Sequence, residues 1–236
     1  MDLIKNHSDL LPKQYRAKGH GFNNEIDLPK LFRGIILGAS GSGKTNLLLD
    51  FIKRSPHVYT HLHLIARQPE QALYKFLGDK LGEQMTMYGE DDVPSVDSIP
   101  KAALQLVVFD DFSNDQKWCA RHVVPFFIRG RHKQLTVLFL AHAFHSGVPK
   151  MVRLNSEILM ILKSSSKADM KSVLRDMPIG DLNVDELWHF YQQSSSNKGV
   201  SRICGEETSQ GVSRKVSDLK LYQRYLMQIK YINHSI

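Results

Sequence analysis

The sequence predicts an α/β fold, a mostly parallel central sheet with helices on both faces. Three observations predict it. The octet Gly38-Ala39-Ser40-Gly41-Ser42-Gly43-Lys44-Thr45 follows an apolar run, Gly34-Ile35-Ile36-Leu37, and opens a helically spaced stretch from Asn46 to Ile52. A second apolar run from Leu104 to Phe109 ends in Asp110-Asp111, sixty-six residues after Lys44. Further apolar runs at 135–141 and 157–163 alternate with helical patterns, as in strand–helix–strand units.

The octet reads G-x-x-x-x-G-K-[ST]. Strand, glycine-rich turn and helix are the context that makes this pattern a phosphate-binding loop, the Walker A element of a P-loop NTPase. Glycines let successive N–H groups curl round a β-phosphate at the positive end of the helix that follows. Gly38, Ala39, Ser40, Gly41, Ser42, Gly43, Lys44, Thr45 and Asn46 are therefore the candidate nucleotide-binding residues. Lys44 would reach the β/γ-phosphates of ATP, and the Thr45 hydroxyl would ligate Mg²⁺. The strand ending in two aspartates is the Walker B pattern. Asp110 would hold Mg²⁺, directly or through water, and Asp111 stands where many P-loop ATPases carry a Glu that orients the attacking water.

Taken in order, residues 1–29 read as a polar N-terminal arm without a core of its own, 30–178 as the P-loop core, and 179–236 as a C-terminal extension. The first strand spans about Leu31–Leu37, and its helix runs to about Arg54, where Pro56 stops it. A second strand covers 57–65. Its His57, His61 and His63 are polar positions on a half-exposed strand; a two-ligand metal site at His61 and His63 is conceivable, but no nearby carboxylate or cysteine completes it. Residues 70–82 are helical, with Leu73, Phe76, Leu77 and Leu81 as the apolar stripe, and 85–88 form a short strand before an acidic loop at 89–98. Residues 113–133 hold a helix interrupted near Pro125. The strand 135–141 ends at His142, 149–155 form a connection, and 157–163 form the next strand. Ser164-Ser165-Ser166 cap a helix over 167–177 that Pro178 closes, and Asn183 caps a short helix through Tyr191. A Ser-rich linker at 192–199, a strand at 200–204 and a last helix from Ser217 or Asp218, with Leu219, Tyr222, Leu226 and Ile229 on one face, complete the chain.

The 236 residues are enough for one sizeable core, and 42% apolar with 23% charged residues is ordinary globular composition. Cys119 and Cys204 fit neither a disulfide framework nor a zinc site, which points to a reducing compartment. The N-terminus carries charges where a secretory signal needs an apolar segment, and no apolar run approaches a membrane span. Residues 121–177 contain ten Lys/Arg and three acids, an excess equal to the whole net charge of +7. Such a local basic excess suits a polyanion, DNA or RNA first.

An extra strand inserted between the two Walker strands marks the ATPase branch of P-loop proteins over the small kinase branch. With that order, Gly38 to Thr45, Phe109-Asp110-Asp111, Gly130-Arg131-His132, the strand 135–141, Val148-Pro149 and Arg153-Leu154-Asn155 resemble the genome-packaging ATPases of large DNA viruses. Leu174-Arg175-Asp176-Met177-Pro178 looks poxvirus-like as well. That family lies within the FtsK–HerA superfamily of DNA translocases, and the resemblance covers roughly residues 30–178.

The resemblance implies a homo-oligomeric ring, a hexamer, that uses ATP to pull double-stranded DNA into a preformed capsid irrespective of base sequence. It implies contact with a viral capsid protein, and residence in the virion or the host cytoplasm. In such rings an arginine from the neighbouring subunit stabilises charge on the γ-phosphoryl group. By motif match that arginine is Arg131, with Arg153 second, and Arg129 and Arg175 behind them. Members of the superfamily usually end the sensor strand with Gln; here the matching residue is His142, so the γ-phosphate sensor either works with altered pH dependence or is weakened. A plasmid- or chromosome-transfer pump of the same superfamily is the first alternative, and membrane anchors or DNA-reading domains would mark it. A nucleoside kinase would show an acceptor pocket with a lid and turnover indifferent to DNA. A nucleotide-gated binding module would scarcely hydrolyse ATP.

Overall fold

A computed structural model describes residues 20–101, 103–162, 166–176, 183–196, 201–208, 211–218 and 227–230. A small hairpin, β1 (Phe22–Asn23) with β2 (Leu28–Pro29), precedes the main sheet. It is tied down rather than free: Asn23 Nδ2 donates to Arg54 O and Ser55 Oγ, and Ile26 and Leu28 are buried beside Phe32.

Six parallel strands follow: β3 (Arg33–Leu37), β4 (Leu62–Ala66), β5 (Met85–Tyr88), β6 (Gln105–Asp110), β7 (Leu135–Ala141) and β8 (Ile158–Ile161). Their spatial order is β8-β3-β7-β6-β4-β5, every neighbouring pair parallel. The strand that lies between the two Walker strands is therefore β7, the one that ends at His142. Period-two alternation sends successive residues to opposite faces. Ile35, Leu37, Val107, Phe109, Val137 and Phe139 enter one apolar layer; Ile36, Leu106, Val108, Leu138 and Leu140 enter the other. Strands covered on both sides read as continuous apolar runs, which is why they were legible.

Helices α1 (Lys44–Lys53) and α2 (Ala72–Leu81) cover the second layer. On the first layer lie α3 (Gln116–His122), α4 (Val124–Arg129), α5 (Phe144–Gly147), α6 (Lys150–Leu154), α7 (Lys167–Asp176) and α8 (Val184–Ser196). Pro125 sits in the first turn of α4, so the expected interruption falls at the α3–α4 boundary. Ser166 Oγ accepts from Asp169 N at the start of α7, and Asn183 Oδ1 accepts from the amides of Asp185 and Glu186 at the start of α8. Ser164 and Ser165 lie outside the described residues.

Several expectations are corrected. The stretch before Leu62 is not strand: His57 has a left-handed φ of 60°, which breaks the extended run. On α2 the buried stripe is Tyr74 and Leu77, whereas Leu73 and Phe76 are exposed. The connection at 149–155 contains α6, and α8 runs on into the Ser-rich segment. Strand β9 (Ser201–Thr208) replaces the expected shorter one and forms an antiparallel hairpin with β10 (Gly211–Asp218). Of the expected last helix, 219–226 lie outside the described residues, and β11 (Met227–Lys230) is a strand antiparallel to β8. It pairs the polar backbone edge that β8 would otherwise expose, a long-range demand that helical spacing does not register.

Candidate nucleotide site

The site is the Walker A loop together with the C-terminal ends of β3, β6 and β7. Gly38 N donates to Ala141 O at 3.0 Å, which clamps the loop entrance against β7. A Cβ on Gly38 would meet Ser42 Oγ and, at 2.9 Å, Leu162 Cβ, so a larger residue there would force the cradle to shift. Gly41 and Gly43 hold φ of 73° and 97°, and Gly43 is the N-cap of α1. Ser40, Gly41 and Asn46 lie exposed, while Ala39, Ser42 and Thr45 are half-buried. Ser42 Oγ is a buried hydroxyl without a partner inside this cradle.

Lys44 is 8% exposed and lies across the site. Its ammonium donates to Gly38 O at 2.8 Å, to Ala39 O at 3.0 Å and to His142 Nδ1 at 3.1 Å. His142 Nε2 lies 3.1 Å from Asp111 Oδ1. An ammonium only donates and a carboxylate only accepts, so the partners select the neutral imidazole with its proton on Nε2. Lys44, His142 and Asp111 thereby form one hydrogen-bonded line from Walker A to Walker B. Asp111 has a left-handed φ of 68°, uncommon for a residue other than glycine, and this turn at the end of β6 aims it at His142. Ser113 Oγ accepts from the His142 amide at 3.4 Å, which ties the two strand ends together.

Asp110, one residue earlier, points the other way and is 6% exposed. Tyr74 on α2 donates its hydroxyl to Asp110 Oδ2. Burial raises the Asp110 pKa, and the charge of Asp111 adds to that, against the Tyr74 hydrogen bond and the attraction of Lys44. Burial lowers the Lys44 pKa against the pull of both aspartates. Burial, with Asp110 beside it, holds the Tyr74 phenol far above its ordinary range. These residues fit the expected ligands. Thr45 and Asp110 offer hard oxygen donors suited to Mg²⁺, and the cradle, the unpartnered Ser42 hydroxyl and the α1 N-terminus suit a polyphosphate.

The arginines separate. Arg131 lies in a 3-10 turn before β7, at the rim of the sheet opposite the Walker A loop, with its side chain 66% exposed and 3.5 Å from Glu157. Arg153 is buried: its Nε is 2.6 Å from Asp176, Nη1 donates to the carbonyls of His145 and Val148, and its guanidinium lies over the Phe144 ring. Arg129 pairs with Asp97 and Arg175 with Asp176. Among the described cations of the basic segment, Arg121, Lys150 and Lys171 are exposed and in no ion pair. His61 bonds Thr86, and His63 bonds Tyr88 and Gln105. Among the described residues no group of three or more His, Cys, Asp or Glu is placed to hold a metal, and no helix is long and apolar enough to cross a membrane. Cys119 is buried and donates to Phe112 O, its thiol pushed up to about 12 by burial.

Sequence reasoning missed Tyr74, Ser113 and Arg67. Arg67 follows β4, reaches Glu90, and lies 5.3 Å from the Phe112 ring, which Trp118 stacks on at 3.7 Å. The run Tyr74–Leu77–Leu81 at helical spacing was the available signal for Tyr74.

Fold and site together define a P-loop NTPase fold with the additional strand between the two Walker strands. In sequence, the chain is 24% identical over 204 residues to the DNA packaging protein OPG160 of Vaccinia virus (strain Copenhagen), covering 77% of this chain and 72% of that protein. In fold, it is similar to the genome packaging NTPase B204 of Sulfolobus turreted icosahedral virus 2. The complex of B204 with AMP shares 10% identity at a TM-score of 0.51, over 81% of this chain and 100% of that one. The complex with sulfate shares 12% identity at 0.50, over 80% and 98%. No protein-family model matches the chain. The resemblance to viral genome-packaging ATPases thus extends beyond the motifs to most of the chain.

Proposed function

We propose that this protein is an ATP-driven translocase that packages double-stranded viral DNA into a preformed capsid. The observation that carries the reading is the line Lys44–His142–Asp111 at the ends of β3, β7 and β6, with Asp110 and Thr45 beside it. The similarity to a poxvirus DNA packaging protein supports the substrate. Lys44 exchanges the carbonyls of Gly38 and Ala39 for phosphate oxygens when ATP enters, and the loop amides hold the β-phosphate. Thr45 and Asp110 hold Mg²⁺, which screens the charge that develops on the phosphates. Asp111 orients the attacking water, and His142 contacts the γ-phosphate.

A ring, hexameric in this reading, places each site between subunits. Arg131 is the arginine offered to the neighbour, because it is exposed and lies on the rim remote from its own Walker A loop. Arg153 acts inside its own subunit. Arg121, Lys150 and Lys171 supply exposed charge for backbone-directed contact with DNA. The C-terminal extension meets a subunit or capsid protein, in the virion or the host cytoplasm. The placement of β7 between β3 and β6 favours this branch over a nucleoside kinase.

ATPase rate against enzyme concentration, with and without long double-stranded DNA and with Lys44→Ala as the blank, tests the reading. Turnover per subunit should climb steeply with concentration and again with DNA. A rate flat with concentration and indifferent to DNA would overturn it.

A further inference from the structure

Tyr74 is 0% exposed, with its ring in the apolar layer that contains Leu48, Leu64 and Val108. A buried phenol hydroxyl needs partners. Its hydrogen-bond partner is Asp110 Oδ2. The tyrosine oxygen carries one proton, and an ionised carboxylate can only accept, so that proton goes to Asp110. One directed bond results, from Tyr74 on α2 to the Walker B carboxylate at the end of β6, across thirty-six residues of sequence separation.

The direction of the bond has a chemical consequence. With Oδ2 held, the carboxylate of the buried Asp110 is kept in one rotamer and leaves its other oxygen to a cation. We infer that Tyr74 is a positioning residue for the divalent cation, setting the orientation of the Walker B carboxylate that receives it. This rests on the reading that Thr45 and Asp110 hold Mg²⁺. Removing an outer partner of a metal ligand typically costs ten- to a hundredfold in metal affinity, roughly, so the effect is measurable.

The test is Mg²⁺ titration of the full chain with a fluorescent ATP analogue, comparing wild type, Tyr74→Phe and Asp110→Asn. In wild type Mg²⁺ should tighten analogue binding, and Asp110→Asn should abolish that response. Tyr74→Phe, which keeps the ring and its packing, should shift the half-saturating Mg²⁺ upward about tenfold. Its affinity for the analogue in EDTA should stay within about twofold, because no phosphate contact is lost. An unchanged Mg²⁺ midpoint in Tyr74→Phe, beside a responsive wild type, overturns the role of Tyr74 and leaves the metal reading standing. A wild type indifferent to Mg²⁺ overturns both. Should the phenylalanine variant prove insoluble, Tyr74→Met makes the same comparison with a side chain that adapts to irregular space.

Discussion

The Nδ1 of His142 stands 3.1 Å from the Lys44 ammonium, so the end of β7 touches the Walker A lysine directly. The other imidazole nitrogen meets Asp111, and one side chain spans both Walker elements. A neutral imidazole in this tautomer offers a donor and an acceptor, as a glutamine amide does, which explains how histidine can stand in the position. His142→Ala should lower kcat by about a hundredfold, the order found when one preorganised donor is removed. KM for ATP should move far less, and His142→Gln should restore most of the rate. Steady-state kinetics on the three proteins decide it, and an alanine variant with wild-type kcat would remove His142 from the chemistry.

Arg131 pairs with Glu157 only at the surface, at 3.5 Å, with 66% of its own side chain exposed. Such pairs contribute about 0–1 kcal/mol, so Arg131→Ala should melt within a degree or two of wild type, roughly. ATP binding should persist. Turnover should fall by at least about a thousandfold if this arginine completes a neighbour's site, and doping the variant into wild type should depress the rate more than dilution does. A variant that turns over normally would refute the ring arrangement drawn from Arg131.

What the sequence revealed and what it hid divide along contact distance. The Walker A loop, Asp110, Asp111 and His142 were legible because each is defined by its own strand end. The helix starts at Ser166 and Asn183 were legible because a cap is a local bond. Tyr74 was not, because its role depends on how α2 is rotated over β6, and Leu73 and Phe76 offered an equally apolar stripe. Arg153 was read by motif as the second candidate for the arginine supplied to a neighbouring subunit, yet its partner is Asp176, and only the tertiary fold brings these two residues of α6 and α7 together. The strand β11 escaped for the same reason, since helical spacing in Leu226 and Ile229 says nothing about the open edge of β8.

His63 predicts a pH dependence of stability. Gln105 donates its amide nitrogen to Pro100 O, so its oxygen is the acceptor facing His63 Nε2, and Nδ1 is left to accept from Tyr88. The bond from Tyr88 needs the neutral ring, whereas the bond to Gln105 survives protonation; burial lowers the pKa of His63 against that Gln105 bond, with His61 lowered likewise by burial. A histidine with a depressed folded-state pKa contributes stability that is complete above its unfolded value near 6.5 and lost as the pH falls below it. The melting temperature should therefore decline from about pH 7 toward pH 5. His63→Gln, which cannot titrate, should show a shallower decline. Parallel curves for the two proteins would exclude His63 as the source.

Arg153 should behave as the opposite of Arg131. Its ion pair with Asp176 is nearly enclosed, with side chains 7% and 13% exposed, and its guanidinium also holds the turn at His145 and Val148. Removing one partner of a buried pair costs about 3–5 kcal/mol where the other charge is left alone, and because Arg175 still reaches Asp176 the lower end of that range applies. Arg153→Ala should therefore lower the melting temperature by roughly 10 °C. Burial by itself would raise the Asp176 pKa, but the hydrogen bonds from Arg175 and Arg153 outweigh it and hold the carboxyl below its usual value of 3.8. Its contribution is thus present above that value and lost as the pH falls toward the lowered one. With Arg153 gone the burial effect is opposed by Arg175 alone, and the acid limb of the stability curve should move to higher pH. If the variant instead melts like wild type and loses turnover only in assembled rings, Arg153 faces a neighbour's nucleotide and the internal pair is dispensable.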